Sequence, residues 1–327
     1  MHPMLIASIS LLALAANSYA AEQTMFEKTK TYCFGRYLVN VPNEAELKNE
    51  GNGYLSSSGI KTLKTTKADI NKLITLKEFE LTNEKDKKDY ILSESQFKNN
   101  DQQRMIISSA TRYGSTAYGI DTFKYLDQGY AATTSDRSYG AQYIKSVITE
   151  FEDYLNQVRY RPQNEIPKEP GFCFENGFVA NDGKTQQVEA ASLYFVLKNH
   201  PYVKIRIESN VYFKQEQSLL ERIHASGIIK KIGQKLKYNK EGKRNINGLN
   251  GEEALTALPS DDETGIAHIF TWETLGEIGN PLLPSINLEI KTGESGGGQT
   301  LPSTLSNQEA MALYEAIVKT IRIRPSN

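Results

Sequence analysis

The chain carries the same short pattern at two widely separated places. The first copy, residues 32–39, reads YCFGRYLV, and the second, residues 171–179, reads GFCFENGFV. Each copy contains one of the only two cysteines, with aromatic neighbours, a glycine soon after and then a return to apolar residues. The chain therefore contains two similar opening segments, which indicates that its fold is built from two related units.

The two halves also end alike. A periodic segment runs into residues 158–162, VRYRP, and a similar one runs into residues 321–325, IRIRP. We interpret this as an internal duplication of a unit of about 130 to 150 residues, an ordinary domain size. The 327 residues also exceed the length that one core usually serves. We predict an N-terminal domain over residues 21–162, a proline-rich linker over 163–170 and a C-terminal domain over 171–327.

The first twenty residues, 1–20, are interpreted as a secretory signal peptide. Met4 to Ala16 is mostly apolar but too short to span a bilayer, and small residues precede the expected cleavage site after Ala20. The segment has no Lys or Arg, which such signals normally carry, so a buried N-terminal helix remains the alternative. No other apolar run is long enough to cross a membrane, so we expect a soluble, periplasmic mature protein without stable membrane insertion.

The charge balance argues against a nucleic-acid partner. The chain has 38 Lys and Arg against 39 Asp and Glu, a net charge of −1. Nucleic-acid binders normally carry a basic excess or a basic face. The short basic run over residues 230–243 is interpreted as a solvated helix end and loop.

The two cysteines allow two interpretations. In an oxidising compartment Cys33 and Cys173 can form a disulfide, closing a loop of about 140 residues and stabilising the fold by up to about 5 kcal/mol. Alternatively, each is a small apolar residue in the core of its own domain. Both interpretations remain open at this point.

Local patterns predict the α+β class, two tandem related domains, each an antiparallel sheet with about two helices packed on one face. In the first half, glycine-separated runs over residues 104–134 indicate a meander, and helical spacing predicts a helix over 139–158. Residues 43–53 are predicted as a loop or short helical turn, 70–81 as a strand and 83–97 as a surface helix.

The second half follows the same order. The predicted elements are a hairpin over 193–208, a helix over 215–225, strands over 246–258, 268–275 and 286–292, and a last helix that begins at a capping box, Ser306 with Glu309.

No catalytic, metal or cofactor site is predicted. Residues 293–297, GESGG, match the nucleophile-elbow pattern at Ser295, but no helix follows at once and no histidine lies beyond His268. A flexible loop is the preferred interpretation, and a hydrolase using Ser295 is a rival. The histidines and cysteines show no zinc-ligand spacing.

Surface residues then become the candidates for function, since Tyr and Trp favour protein interfaces and tyrosine is abundant at 18. The segments predicted to contact a partner are an acidic loop, the single tryptophan and an apolar turn between prolines: Asp261, Asp262, Glu263, Trp272, Leu282 and Leu283.

At residues 33–42 and 171–179 the chain resembles the Tli4 family of type VI secretion immunity proteins, and the resemblance spans nearly the whole mature chain. It implies a periplasmic protein of two related domains that binds a toxic lipase or phospholipase of the α/β-hydrolase class. Inhibition in such proteins is by binding alone, which agrees with the missing catalytic residues. The two openings resemble core structure, so no interface residue is taken from them.

Two rigid domains joined by a proline-rich linker would form a cleft that contacts a large partner on two sides. We hypothesise that this cleft blocks the opening of the lipase's active-site lid. The alternative function is a periplasmic binding module for a lipid or other small ligand, which predicts an enclosed apolar pocket instead.

Overall fold

The computed structural model describes residues 26–325 except 56–58, 86–88, 99–101, 186, 228–234 and 296. The predicted signal peptide therefore lies outside the described residues. The α+β class is confirmed, because antiparallel sheets and four helices make up the described part of the chain. None of these helices combines the length and apolar character needed to cross a bilayer.

Five strands of the first half form an antiparallel sheet in the order β4-β8-β7-β6-β5. Their bounds are β4 Ile60–Lys64, β5 Ile91–Lys98, β6 Gln103–Arg112, β7 Ser115–Leu126 and β8 Tyr130–Gly140. Helices α1, Lys67–Asn83, and α2, Ile144–Gln157, cover opposite faces of this sheet, so the predicted packing of both helices on one face is wrong here. Met105, Ile106 and Ile107 of β6 are consequently all buried, although they alternate between the two faces.

The strand predicted over residues 70–81 is wrong, because this segment lies in α1. Thr66 caps the helix by accepting a hydrogen bond from the Asp69 backbone N–H at 3.1 Å. The buried residues Ile70, Ile74 and Leu81 follow helical spacing. The alternating pattern misled because other apolar residues of this helix are exposed. The helix predicted over 83–97 is also wrong, since β5 begins at Ile91.

Seven strands form the larger sheet, in the order β14-β15-β16-β17-β13-β12-β3. Their bounds are β3 Ala45–Tyr54, β12 Glu189–Leu197, β13 His200–Asn210, β14 Tyr238–Ile246, β15 Leu249–Pro259, β16 Ile266–Thr274 and β17 Ser285–Thr292. Helix α3, Leu219–Ser226, packs against β15, and α4, Asn307–Val318, packs against β16 and β17. The predicted capping box of Ser306 and Glu309 is confirmed.

One strand of this sheet comes from the first half of the chain. Residues 43–53, predicted as a loop or helical turn, lie mostly in β3, which pairs antiparallel with β12 at the sheet edge. The polar composition is tolerated because an edge strand is only partly buried. Residues 238–243 of the basic run, interpreted as a helix end and loop, likewise lie in the opposite edge strand, β14, and residues 230–234 of that run lie outside the described residues.

Two small sheets join the halves. One is β1 Thr29–Phe34, β2 Tyr37–Pro42 and β18 Arg322–Ile323; the other is β10 Gly171–Phe174, β11 Gly177–Ala180 and β9 Val158–Tyr160. Each opening hairpin therefore pairs with the strand that ends the other half. A disulfide joins Cys33 to Cys173, which resolves the open question about the cysteines.

The duplicated endings place two arginines inside this junction. Arg161 donates to the carbonyls of Phe174 and Gly177 at 2.9 and 3.1 Å. Arg324 donates to the carbonyls of Pro167 and Glu169 in the linker and to that of Gly171 in β10 at 2.7 Å. Burial lowers the pKa of Arg324 to about 10. Both guanidinium groups thus satisfy backbone carbonyl groups at the junction of the two halves.

The largest hydrophobic core is continuous across the junction. It includes Phe151 and Tyr154 of α2 together with Phe172, Phe195 and Leu313 from the second half. Burying these side chains against one another couples the folding of the halves. The division at residues 163–170 stays a proposal based on the sequence repeat.

Candidate partner-binding cleft

A cleft of about 750 Å³ opens where α2 of the first half faces loops of the second half. Residues from both halves line it: Tyr54, Leu55, Glu150, Asp153, Tyr154, Gln157, Glu169, Pro170, Ala180, Asn181, Asp182, Thr185, Gln187, Val188 and Phe213. The cleft thus lies between the halves, as the two-unit interpretation predicted.

One face of α2 forms a wall of the cleft. Its buried residues Val147, Phe151 and Leu155 anchor the helix in the core. Glu150, Asp153, Tyr154 and Gln157 stand at positions i, i+3, i+4 and i+7 and therefore share the face that lines the cleft.

A buried ion pair lies beside the cleft floor. The Arg36 guanidinium donates to both carboxylate oxygens of Glu189, at 2.8 and 2.5 Å. Arg36 also donates to the Asn181 backbone and side chain, and Gln187 donates to Glu189 at 2.5 Å. Asn181 and Gln187 line the cleft, so this network holds its floor in a fixed shape.

Carboxylates dominate the charge of the cleft. Glu150, Asp153, Glu169 and Asp182 line it, and no Lys, Arg or His is among its described lining residues. Hydrogen bonding to Arg159 lowers the pKa of Glu169, and hydrogen bonding to Lys184 lowers that of Asp182. Burial instead raises the pKa of Glu150. The cleft therefore presents negative charge that favours a cationic group.

Apolar side chains form one rim. Phe213 is 51% exposed and lines the cleft, and Ile278 and Leu282 of the neighbouring turn are 53% and 45% exposed. A Cβ atom at Gly183 would collide with the Leu282 side chain, so this turn packs against the cleft loop that carries Asp182. Exposed apolar groups beside a charged cleft are typical of protein-binding surfaces.

The predicted interface residues fall into three groups. Leu282 is exposed at the rim, whereas Leu283 is partly buried and packs against the core. Trp272 is fully buried and donates to the Arg244 carbonyl at 3.1 Å, so its assignment as a contact residue is wrong. A large aromatic on the inner face of a sheet is more stable in the core than in water.

The three acidic side chains of the predicted acidic loop, residues 261–263, bind to neighbouring groups of the protein itself. Asp261 accepts from the Thr300 backbone N–H at 2.9 Å, and Asp262 accepts from Ser260 and Thr264. Glu263 pairs with Lys235 at 3.3 Å. These contacts stabilise the turn, and none of its three acidic residues lines the cleft.

A second exposed apolar surface lies on α1, where Leu73, Leu76 and Phe79 are 43%, 62% and 66% exposed. The five-stranded sheet separates this stripe from α2 and the cleft. Sequence patterns did not reveal Phe213, Ile278 or the α2 stripe as surface features, because each is recognised only once its neighbours in space are known.

Ser295 lies in a turn whose hydroxyl donates to the Gln299 carbonyl at 2.9 Å. His200 hydrogen-bonds Thr304, His224 bonds Glu241, and His268 bonds Thr292 and Asn307. The geometry therefore gives Ser295 no histidine base among the described residues. Within those residues no group of three His, Cys, Asp or Glu side chains could hold a metal ion.

A second large cavity, about 830 Å³, is a groove between α4 and residues 26–29. Its lining mixes Phe26, Met311 and Ala312 with Asn307, Glu315 and Lys319. Neither this groove nor the cleft is the enclosed apolar pocket that a small-ligand module predicts, since both carry charged side chains.

Both halves of the chain match known protein families. Residues 30–161 match the family described as Tle cognate immunity protein 4 N-terminal domain, and residues 165–326 match its C-terminal domain. None of the curated protein sequences compared with the chain matches it.

Three solved structures share the fold. The apo immunity protein TplEi of the type VI secretion system from Pseudomonas aeruginosa is 24% identical, with a TM-score of 0.79 over 91% of this chain and 98% of that one. The structure of a Tle4-Tli4 complex contains a chain 23% identical, with a TM-score of 0.79 over 91% and 98%. TplEi bound to an "L" peptide is 23% identical, with a TM-score of 0.77 over 92% and 100%.

Proposed function

The chain belongs to the Tle cognate immunity protein 4 family, and we therefore propose that it binds and inhibits a cognate type VI secretion lipase or phospholipase. We expect the effector to be of the α/β-hydrolase class and the inhibition to take place in the periplasm. The protein would protect the membranes of the cell that makes the toxin.

The observation that carries this proposal is the match of both domains to one immunity family, together with a similar fold in a Tle4-Tli4 complex. The cleft supports it because its lining combines residues of both halves. A partner seated there would contact the two halves at once, and linked contacts raise affinity.

Rigidity of the junction favours binding. The disulfide, the two mixed sheets and the Arg36–Glu189 ion pair all connect the halves around the cleft. A partner therefore meets a surface that is already formed, and little conformational entropy is lost on association. Inhibition then results from covering the effector, without any chemistry by the immunity protein.

A protection assay tests the proposal in cells. The cognate lipase is directed to the periplasm of a sensitive host, with this chain expressed in its complete form or without residues 1–20. We expect the complete chain to restore growth and the shortened chain to fail, because only the first would reach the lipase. Equal killing with both forms would contradict the proposed function, and equal protection by both would contradict the predicted export.

A further inference from the structure

The carboxylates on the α2 wall differ from the others in the cleft. Glu169 lies 2.7 Å from Arg159 and Asp182 lies 2.8 Å from Lys184, so each has a cationic partner. Within the described part of the chain, neither Glu150 nor Asp153 forms an ion pair. Two adjacent negative charges thus face the cleft without local compensation.

Glu150 and Asp153 do not stabilise the helix that carries them. Like charges at positions i and i+3 repel each other on a helix surface. The last turn of α2 contains no basic residue that could offset this repulsion. This repulsion opposes the stability of the free protein, and a cation bound in the cleft would relieve it.

Tyr154 supplies an independent indication of a ligand. It lines the cleft, only 2% of the residue is exposed, and its hydroxyl is buried without a hydrogen-bond partner among the described residues. A buried hydroxyl that makes no hydrogen bond is costly to a fold. The unpaired hydroxyl and the two unpaired carboxylates belong to the same helix face.

We propose that this wall of the cleft receives one arginine side chain of the bound effector, with Glu150 and Asp153 accepting from the guanidinium and Tyr154 hydrogen-bonding to it. The inference rests on the proposed function and specifies the chemistry of its contact. Arginine fits better than lysine because its planar group offers five donors to several acceptors at once. Phe213 on the same cleft offers an aromatic face for the cation.

The direct test uses a side-chain probe with the whole protein. Tyr154 is replaced by 3-fluorotyrosine, and its fluorine resonance is followed during titration with N-acetyl-L-arginine amide. The control probe is N-acetyl-L-citrulline amide, which has a similar shape but no charge. We expect a saturable shift with the arginine probe alone. No saturable shift, or equal shifts with both probes, would overturn the inference.

Single-residue variants test whether the arginine probe binds at the α2 wall of the cleft. Asp153→Asn should weaken binding of the arginine probe by about five-fold or more and leave thermal stability unchanged or raised, because it removes the like-charge repulsion with Glu150. The matched control is Asp127→Asn, an exposed carboxylate of the first half outside the cleft, which should bind as the wild type does. Equal weakening by both variants would indicate only general electrostatic attraction and would contradict the site.

The cognate lipase separates this inference from the proposed function. The double variant Glu150→Gln with Asp153→Asn should bind the lipase about ten-fold or more weakly. If the wild type and the double variant inhibit equally, the arginine site is wrong and the proposed function stands. If the wild type binds the arginine probe but not the lipase, the proposed function is wrong and the cation site stands.

Discussion

Gly35 and Cys173 exchange two backbone hydrogen bonds across the centre of the molecule. The Gly35 N–H donates to the Cys173 carbonyl at 2.8 Å, and the Cys173 N–H donates to the Gly35 carbonyl at 2.9 Å. The disulfide to Cys33 lies beside this bridge. The two openings of the duplicated chain thus meet, and each also holds the strand that ends the other half.

Removing the disulfide should reduce stability substantially. The bridge closes a loop with a sequence separation of 140 residues, and the chain-entropy model gives up to about 5 kcal/mol for such a loop. We expect Cys33→Ser with Cys173→Ser to lower the free energy of unfolding in urea by about 2–5 kcal/mol. Reduced wild type should match the variant, and equal stability of oxidised and reduced protein would contradict the account.

Glu50 on β3 should make stability depend on pH. Burial raises its pKa from 4.5 to about 7, partly offset by Arg161, and its Oε1 atom has no hydrogen-bond partner in the described structure. The folded protein therefore holds this proton more tightly than the unfolded chain. The stabilisation of the folded state by protonated Glu50 is fully present below pH 4.5 and is lost as the pH rises towards 7.

Glu50→Gln should prevent this fall in stability at high pH, because glutamine cannot ionise. We expect the free energy of unfolding to rise by about 1–3 kcal/mol at pH 8, with little change below pH 4.5. The matched control is Glu46→Gln on the same strand, whose carboxylate is exposed and paired with Lys48. A Glu50→Gln effect that is independent of pH would show that its charge is not the cause.

The buried pair of Arg36 and Glu189 should behave as a unit. Arg36→Met or Glu189→Leu alone leaves one charge buried without its partner, and each should cost about 3–5 kcal/mol in urea unfolding. The double variant should cost less than either single variant, because no charge then remains buried. A double variant whose loss equals the sum of the single losses would contradict this coupling.

Much of the fold was predictable from the repeated segments. The paired openings and Arg-Pro endings indicated two related α+β units, and apolar spacing predicted α2 and the capping box at Ser306. These signals are local, since capping and amphipathicity depend on residues within a few positions of one another.

The errors arose where distant contacts decide the structure. Residues 43–53 look like a loop, and only pairing with β12 makes them a strand. Helix α1 exposes apolar residues, so its sequence lacks a clear helical face. Trp272 was expected on the surface by residue type, but its sheet face is buried beneath α4 and its partners.

The candidate site was predictable only in part. An opening between the halves and an exposed Leu282 were expected, whereas Tyr154 and Phe213 come together through the fold. No spacing along the chain links a residue of α2 to one that follows β13. The charge of the cleft likewise depends on which carboxylates have partners, and sequence alone does not specify those partners.

Inhibition by this protein can be measured directly with the purified cognate lipase acting on phospholipid vesicles. We expect one equivalent of the wild-type chain to abolish hydrolysis. The double variant Phe213→Asp with Leu282→Asp should weaken inhibition by about ten-fold or more, because both side chains form the cleft rim. Leu76→Asp on the distant α1 stripe should inhibit like the wild type. Full lipase activity in an excess of the wild-type chain would contradict the account.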